Sequence, residues 1–138
     1  MSSSRLTPKA FFVAYGVVLL VMAALDAVWL GWLGLDMYKQ EIGPLLLDTP
    51  KWLPAALFYL CYPLGLVFLA LHIRPSTLGE AVLRSAVVGL VAYGVYDLSN
   101  LATLRDWSVK VCIVDMVYGT CASGFAGFLA MKAANKFS

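Results

Sequence analysis

Four long apolar runs alternate with short polar stretches along the chain, at about 10–33, 52–73, 81–104 and 109–131. Each has the roughly 20 mostly apolar residues that an α-helix needs to cross a bilayer. The punctuation between them suits helix ends. Thr7-Pro8 precedes the first run, and Pro50 and Pro54 flank the start of the second, where proline is tolerated. Thr77 with Glu80 makes a capping-box pattern ahead of the third, and Asp106 or Ser108 can cap the fourth. The pattern predicts an all-α fold, a four-helix transmembrane bundle in one domain over 1–138. A cleaved signal peptide is the rival reading of the first run, with Arg5 and Lys9 as its charged start. Val21-Met22-Ala23 is a poor cleavage site, however, and the apolar stretch runs on well past it.

The link at 34–51 is longer than the other two and mixes Met37, Tyr38, Ile42 and Leu45 to Leu47 with charges. Simple packing on the surface is the first expectation. A short amphipathic helix in the membrane interface, or a cover over something beneath, are the alternatives.

Composition agrees with lipid as the solvent. Of the 138 residues, 62% are hydrophobic and 13% charged, against about half and a quarter in soluble domains. The net charge is only +2, without a basic run, so nothing points to nucleic acid. Cys61, Cys112 and Cys121 lie inside apolar runs in odd number, which suits apolar filler better than a disulfide framework. His72 is the one histidine and cannot supply paired haem ligands or a multi-histidine metal site. No pattern identifies a cofactor.

Lysine and arginine in short loops set orientation. One side would carry Arg5, Lys9, Arg74, Arg84, Lys132 and Lys136, and the other Lys39, Lys51, Arg105 and Lys110. The six-to-four bias places both termini in the cytoplasm. Trp29, Trp32, Trp52 and Trp107 then fall near the non-cytoplasmic ends of spans, where indoles serve as lipid anchors.

Against this background three aspartates stand out. Asp26, Asp97 and Asp115 lie inside three different spans, and the topology puts all three in the outer half of the bilayer. An aspartate at a span's centre costs about 2.5–3.5 kcal/mol. No lysine or arginine lies deep in any span to offset this. Protonation, hydrogen bonds from neighbours, a bound cation or a water-filled cavity would each make the groups tolerable. Donors are plentiful at this depth. Tyr93 and Asn100 share a helical face with Asp97, with Tyr96 at its margin, and Tyr118 is one turn from Asp115. Tyr59 and Tyr62 lie at a similar level of the second span, where Pro63 frees a backbone carbonyl. Asp26, Asp97, Asn100, Asp115, Tyr59, Tyr93, Tyr96 and Tyr118 are therefore the candidate binding residues. Two small-residue stripes, Ala23-Ala27-Gly31 and Gly119-Ser123-Gly127, suggest helix contacts within the chain or a homo-oligomer face.

Some of these residues also form a recognisable pattern. Leu25-Asp26 with Trp29-Leu30, the stretch Tyr96-Asp97-Leu98-Ser99-Asn100-Leu101-Ala102-Thr103, then Trp107, and Val114-Asp115 with Gly119 resemble a bacterial inner-membrane family labelled domain of unknown function 2177. The resemblance covers essentially the whole chain. It implies a bacterial four-helix membrane protein, sets the three aspartates among the family's motif residues, and implies no activity. The chain departs from the family pattern with Ser99 in place of a threonine and Tyr118 in place of a tryptophan.

Three functions follow as expectations, in this order. The first is a small cation- or proton-linked transporter or channel component, oligomeric because four helices leave little room for a pore. The second is a non-catalytic assembly subunit whose aspartates hold helices together. The third is an intramembrane enzyme acting on a lipid, with paired carboxylates as acid and base.

Overall fold

The apolar runs fold as helices in the computed structural model, which describes residues 4–137. Helix α1 spans Pro8–Val28. Its first turn is closed by the Thr7 hydroxyl, which accepts from the Ala10 amide at 3.1 Å. A π-turn at Trp29–Leu33 prolongs α1, and a short helix α2, Leu35–Ile42, follows. Helix α3 spans Trp52–Leu66 and ends in a second π-turn, Val67–Leu71. Helix α4 covers Leu78–Thr103, capped by the Thr77 hydroxyl on the Glu80 amide at 3.0 Å. Helix α5 covers Val109–Asn135. Ser108 rather than Asp106 caps it, accepting from the Val111 amide at 3.1 Å. Four of these helices are long and apolar enough to cross a membrane. Among the described residues there is no strand, only one isolated antiparallel bridge between Arg5 and Ile73.

The side chains face outward as a lipid solvent requires. Phe12, Leu20, Leu69 and Val95 are each at least 66% exposed, which would be a liability in water. Buried positions concentrate on α5. In the most apolar window of α5, 44% of residues are buried inside the protein, against 22% for each of the other three spans. Helix α5 is thus the central element.

Small residues make that centre possible. A Cβ on Gly89 of α4 would lie 2.6 Å from the Gly119 carbonyl and from Ser123 of α5. A Cβ on Gly127 would strike the Ser85 hydroxyl, and one on Gly119 would strike the Tyr93 ring. The Gly119-Ser123-Gly127 stripe is therefore a contact between α5 and α4 within the chain. The Ala23-Ala27-Gly31 stripe is not: all three residues are exposed, and a Cβ on Gly31 would meet nothing within 4 Å.

Helix α3 behaves differently at its two ends. Pro63, Leu66, Val67, Ala70 and Leu71 are buried, whereas no residue from Trp52 to Tyr62 is. Contact between α3 and α4 runs mainly through the π-turn Val67–Leu71. That end is latched. Arg84 donates to the carbonyls of Ile73 at 2.5 Å and Ala70 at 3.4 Å and pairs with Glu80. The Leu6 amide donates to the His72 carbonyl at 3.0 Å, and the Arg74 amide to the Ser4 carbonyl at 2.7 Å. The bundle thus has a tightly joined termini face, and an opposite face, capped by α2, on which α3 stands away from α4.

Candidate functional site

The three intramembrane aspartates are all buried. Asp26 lies on α1, three residues before the π-turn. Each of its carboxylate oxygens accepts one phenol: Tyr59 of α3 donates to Oδ2 at 2.7 Å and Tyr118 of α5 to Oδ1 at 2.6 Å. One acidic side chain therefore ties three helices together.

Asp115 of α5 is reached from the link. The Tyr38 hydroxyl of α2 donates to its Oδ1 at 2.7 Å and accepts from the Trp29 indole at 3.1 Å. The Trp29 ring stacks on Tyr118, with centroids 5.1 Å apart and planes at 10°. Asp26, Tyr118, Trp29, Tyr38 and Asp115 thus form one continuous chain of contacts.

Asp97 has no solvent exposure, and neither of its oxygens meets a donor. Its carboxyl lies beside that of Asp115. Two carboxyl groups side by side in a buried site repel each other when both are charged. The Cys112 thiol draws α5 against α4 here, donating to the Asp97 carbonyl at 3.1 Å. No salt bridge joins any of the three aspartates to a lysine or arginine among the described residues.

Local sequence explains how α2 comes to cover the cluster. The π-turn and Gly34 reverse the chain, with the Gly34 amide bonded to the Trp29 carbonyl at 2.7 Å. A Cβ on Gly34 would lie 3.0 Å from the Trp29 indole, so glycine lets that ring tuck underneath. Tyr38 and Ile42 then face inward and pack with Val111. Ser108 donates to the Glu41 carboxylate at 2.6 Å and pins the far end of α2 to the start of α5. Burial pushes the Tyr38 phenol above its ordinary range, with Trp29 acting against this and Asp115 adding to it. Pro44, in the turn Gly43–Leu45, stops the helix.

Beneath α2 lies a cavity of about 1150 Å³, with the exposed Lys39 and Asp48 on its α2 side and the buried Asp26 and Asp115 at its floor. Its size suits a small-molecule site. Phe58 and Tyr62 of α3 and Ala92 and Tyr96 of α4 also line it, so it occupies the gap between those helices. A smaller groove of about 420 Å³ touches Asp26 and Tyr59 from outside, along the uncovered Ala23-Ala27-Gly31 stripe.

Of the residues singled out from the sequence, Asp26, Tyr59 and Tyr118 share one set of hydrogen bonds, and Asp97 meets Asp115. Tyr93 contributes its ring, edge-on to Tyr62 at 6.2 Å and pressed on Gly119. Tyr96 and Asn100 lie to one side. Asn100 neighbours the Tyr96 hydroxyl, and the Tyr96 ring stands edge-on to Trp107 at 5.8 Å. Tyr62 bonds Ser123 at 2.6 Å. Among the described residues, no three His, Cys, Asp or Glu side chains gather as a metal site requires. Sequence reasoning missed Trp29 and Tyr38. Trp29 is no simple lipid anchor, since its indole turns inward, whereas Trp32 and Trp52 do face out, at 73% and 77% exposed. The spacing of Leu35, Tyr38 and Ile42 on one helical face was the available signal.

Residues 11–132 match the family described as "Predicted membrane protein (DUF2177)". The chain belongs to this family. The match takes in all three aspartates, the π-turns and α2, and the family's function is unknown. No curated protein and no solved structure matches the chain.

Proposed function

We propose that this family member is a small proton- or cation-linked transporter component of a bacterial inner membrane. Both termini lie in the cytoplasm, and the chain works as a homo-oligomer. The observation that carries the reading is the Asp97–Asp115 pair: two buried carboxyls side by side, neither in a salt bridge, Asp97 without any hydrogen-bond donor, and Asp115 on the floor of a cavity under α2. A purely structural network would pair its acids with donors, as Asp26 is paired. Leaving Asp97 without one makes the Asp97–Asp115 pair a place for a shared proton or a cation. The pair would share a proton in the resting state and release it when a cation arrives at Asp115. The tyrosines would supply fixed dipoles around it.

Liposomes with an imposed pH or cation gradient test this. The wild-type protein should carry flux, and Asp97→Asn should abolish it while the thermal midpoint stays level or rises, since an amide donates to Asp115. Flux unchanged by Asp97→Asn ends the transport reading. A fall in stability, with no flux in either protein, favours the assembly-subunit alternative.

A further inference from the structure

We infer that the ligand of this cavity is an amine-headed amphiphile that enters sideways from the bilayer through the gap between α3 and α4. The inference rests on the cation-binding reading of the carboxylate cluster and names the substrate class for it.

Shape comes first. Helix α3 is buried only from Pro63 onward; Tyr62 still meets Tyr93 of α4, but no residue from Trp52 to Cys61 is buried. The resulting opening is a wedge, closed toward the termini by Leu66, Val67 and Leu71, and roofed on the opposite face by α2 and the residues after it. Phe58, 47% exposed, and Tyr96, 54% exposed, stand on the two lips. A ligand arriving from water must pass α2, which Tyr38–Asp115 and Glu41–Ser108 hold shut. One arriving from the bilayer meets the flank where, among the described residues, no hydrogen bond ties 52–61 of α3 to α4.

Chemistry comes second. The lips and walls are apolar or aromatic and suit a hydrocarbon chain. The floor is acidic and suits a cation. Asp26 and Asp115 each present a carboxylate to the cavity, and Asp97, whose oxygens meet no donor, lies beside Asp115. The one basic side chain on the lining, Lys39, is exposed on the α2 side, as Asp48 is, whereas the floor carboxylates are buried. A free fatty acid or phosphate-headed lipid would set its negative head against these carboxylates. An alkyl ammonium would set opposite charge there and leave its tail between Phe58 and Tyr96. Cation–π attraction from the tyrosine rings adds to the match.

The test uses the full chain in phosphatidylcholine nanodiscs, titrated with oleylamine, oleyl alcohol or methylammonium, and read by tryptophan emission and by native mass spectrometry. Saturable oleylamine binding is expected, at least tenfold tighter than oleyl alcohol. Asp26→Asn and Asp115→Asn should each weaken it tenfold or more. Tyr59→Phe, which keeps the ring, should weaken it less and covers the case in which an Asn variant fails to fold. Ala92→Trp, which fills the gap, should abolish it. Equal binding of alcohol and amine, or oleylamine binding untouched by Ala92→Trp, overturns the inference. Methylammonium binding as tightly as oleylamine also overturns it, yet leaves the cation-site reading standing. Cation flux that requires Asp97 without any oleylamine binding separates the two in the same way.

Discussion

The seam between α4 and α5 and the gap between α3 and α4 share a helix yet are built from opposite materials. At the α4–α5 seam Gly89, Ser85, Gly119, Ser123 and Gly127 let two backbones come together. On another flank of α4, nearer the α2 side, Tyr96 lines a cavity with Phe58 and Tyr62 of α3, and the two helices meet mainly at the π-turn end. Hydrophobicity does not separate the two, because lipid tails compete equally for any apolar side chain. Side-chain size does. Small residues allow close packing over a long contact, whereas bulky rings prop helices open and leave a space that something else must fill.

The largest expected effect breaks the seam. Gly119→Val should cost about 3 kcal/mol or more, because the new side chain would occupy the Tyr93 ring position on a stiff backbone. Gly31→Val, at a glycine with open space around it, should stay within about 0.5 kcal/mol. Thermal midpoints in detergent compare the pair, and equal losses would show that the seam is not the support it looks to be.

A smaller effect sharpens the gap. Tyr118→Phe removes one of the two donors to Asp26 and should cost about 1 kcal/mol, the usual scale for interhelical polar bonds in membranes. Tyr59→Phe removes the other donor, on the half-exposed helix, and should cost less. Denaturation in mixed micelles ranks them, and the reverse order would place the main support of Asp26 on α3.

The smallest effect concerns the roof. The Tyr38 phenol titrates higher when α2 is docked than its ordinary value of 10.0, chiefly because docking buries it. A group whose pKa is raised in the docked state contributes stability that is complete below its free value and lost as pH rises beyond it. Docking of α2 should therefore hold steady through neutral pH and weaken above about 10. Trp29 emission should report the change, and Tyr38→Phe should remove that part of the pH response.

Much of this was legible in the sequence, for identifiable reasons. Span positions follow from run length, and the caps at Thr7, Thr77 and Ser108 follow from residue type. That the aspartates come from three different spans follows from their positions in the apolar runs. What could not be read is which way each polar side chain turns. Asp26 and Asp97 occupy similar depths, yet one gains two phenol donors and the other none, because that depends on helix rotation and on which neighbour is close. The docking of Tyr38 on Asp115 spans 77 residues of sequence and hangs on a reversal at Gly34, which no local pattern of apolar positions encodes. The two stripes of small residues look alike as text. Only the order of packing around α5 shows that one is a seam and the other an open flank.

The latch at the end of α3 has a mechanical meaning. Trp52–Leu71 is a rod of 20 residues, about 30 Å long, gripped at its foot by Arg84 and the Leu6–His72 clasp. A rod gripped at its foot, with single side-chain bonds at Tyr59, Leu60 and Tyr62 farther along, can act as a lever. A tilt of about 5° at Leu71 carries the Trp52 end roughly 2.5 Å, by the same rise per residue. Slight rocking at the base thus widens or narrows the upper gap by something like the radius of a methylene chain, while the seam on the far side of α4 stays still.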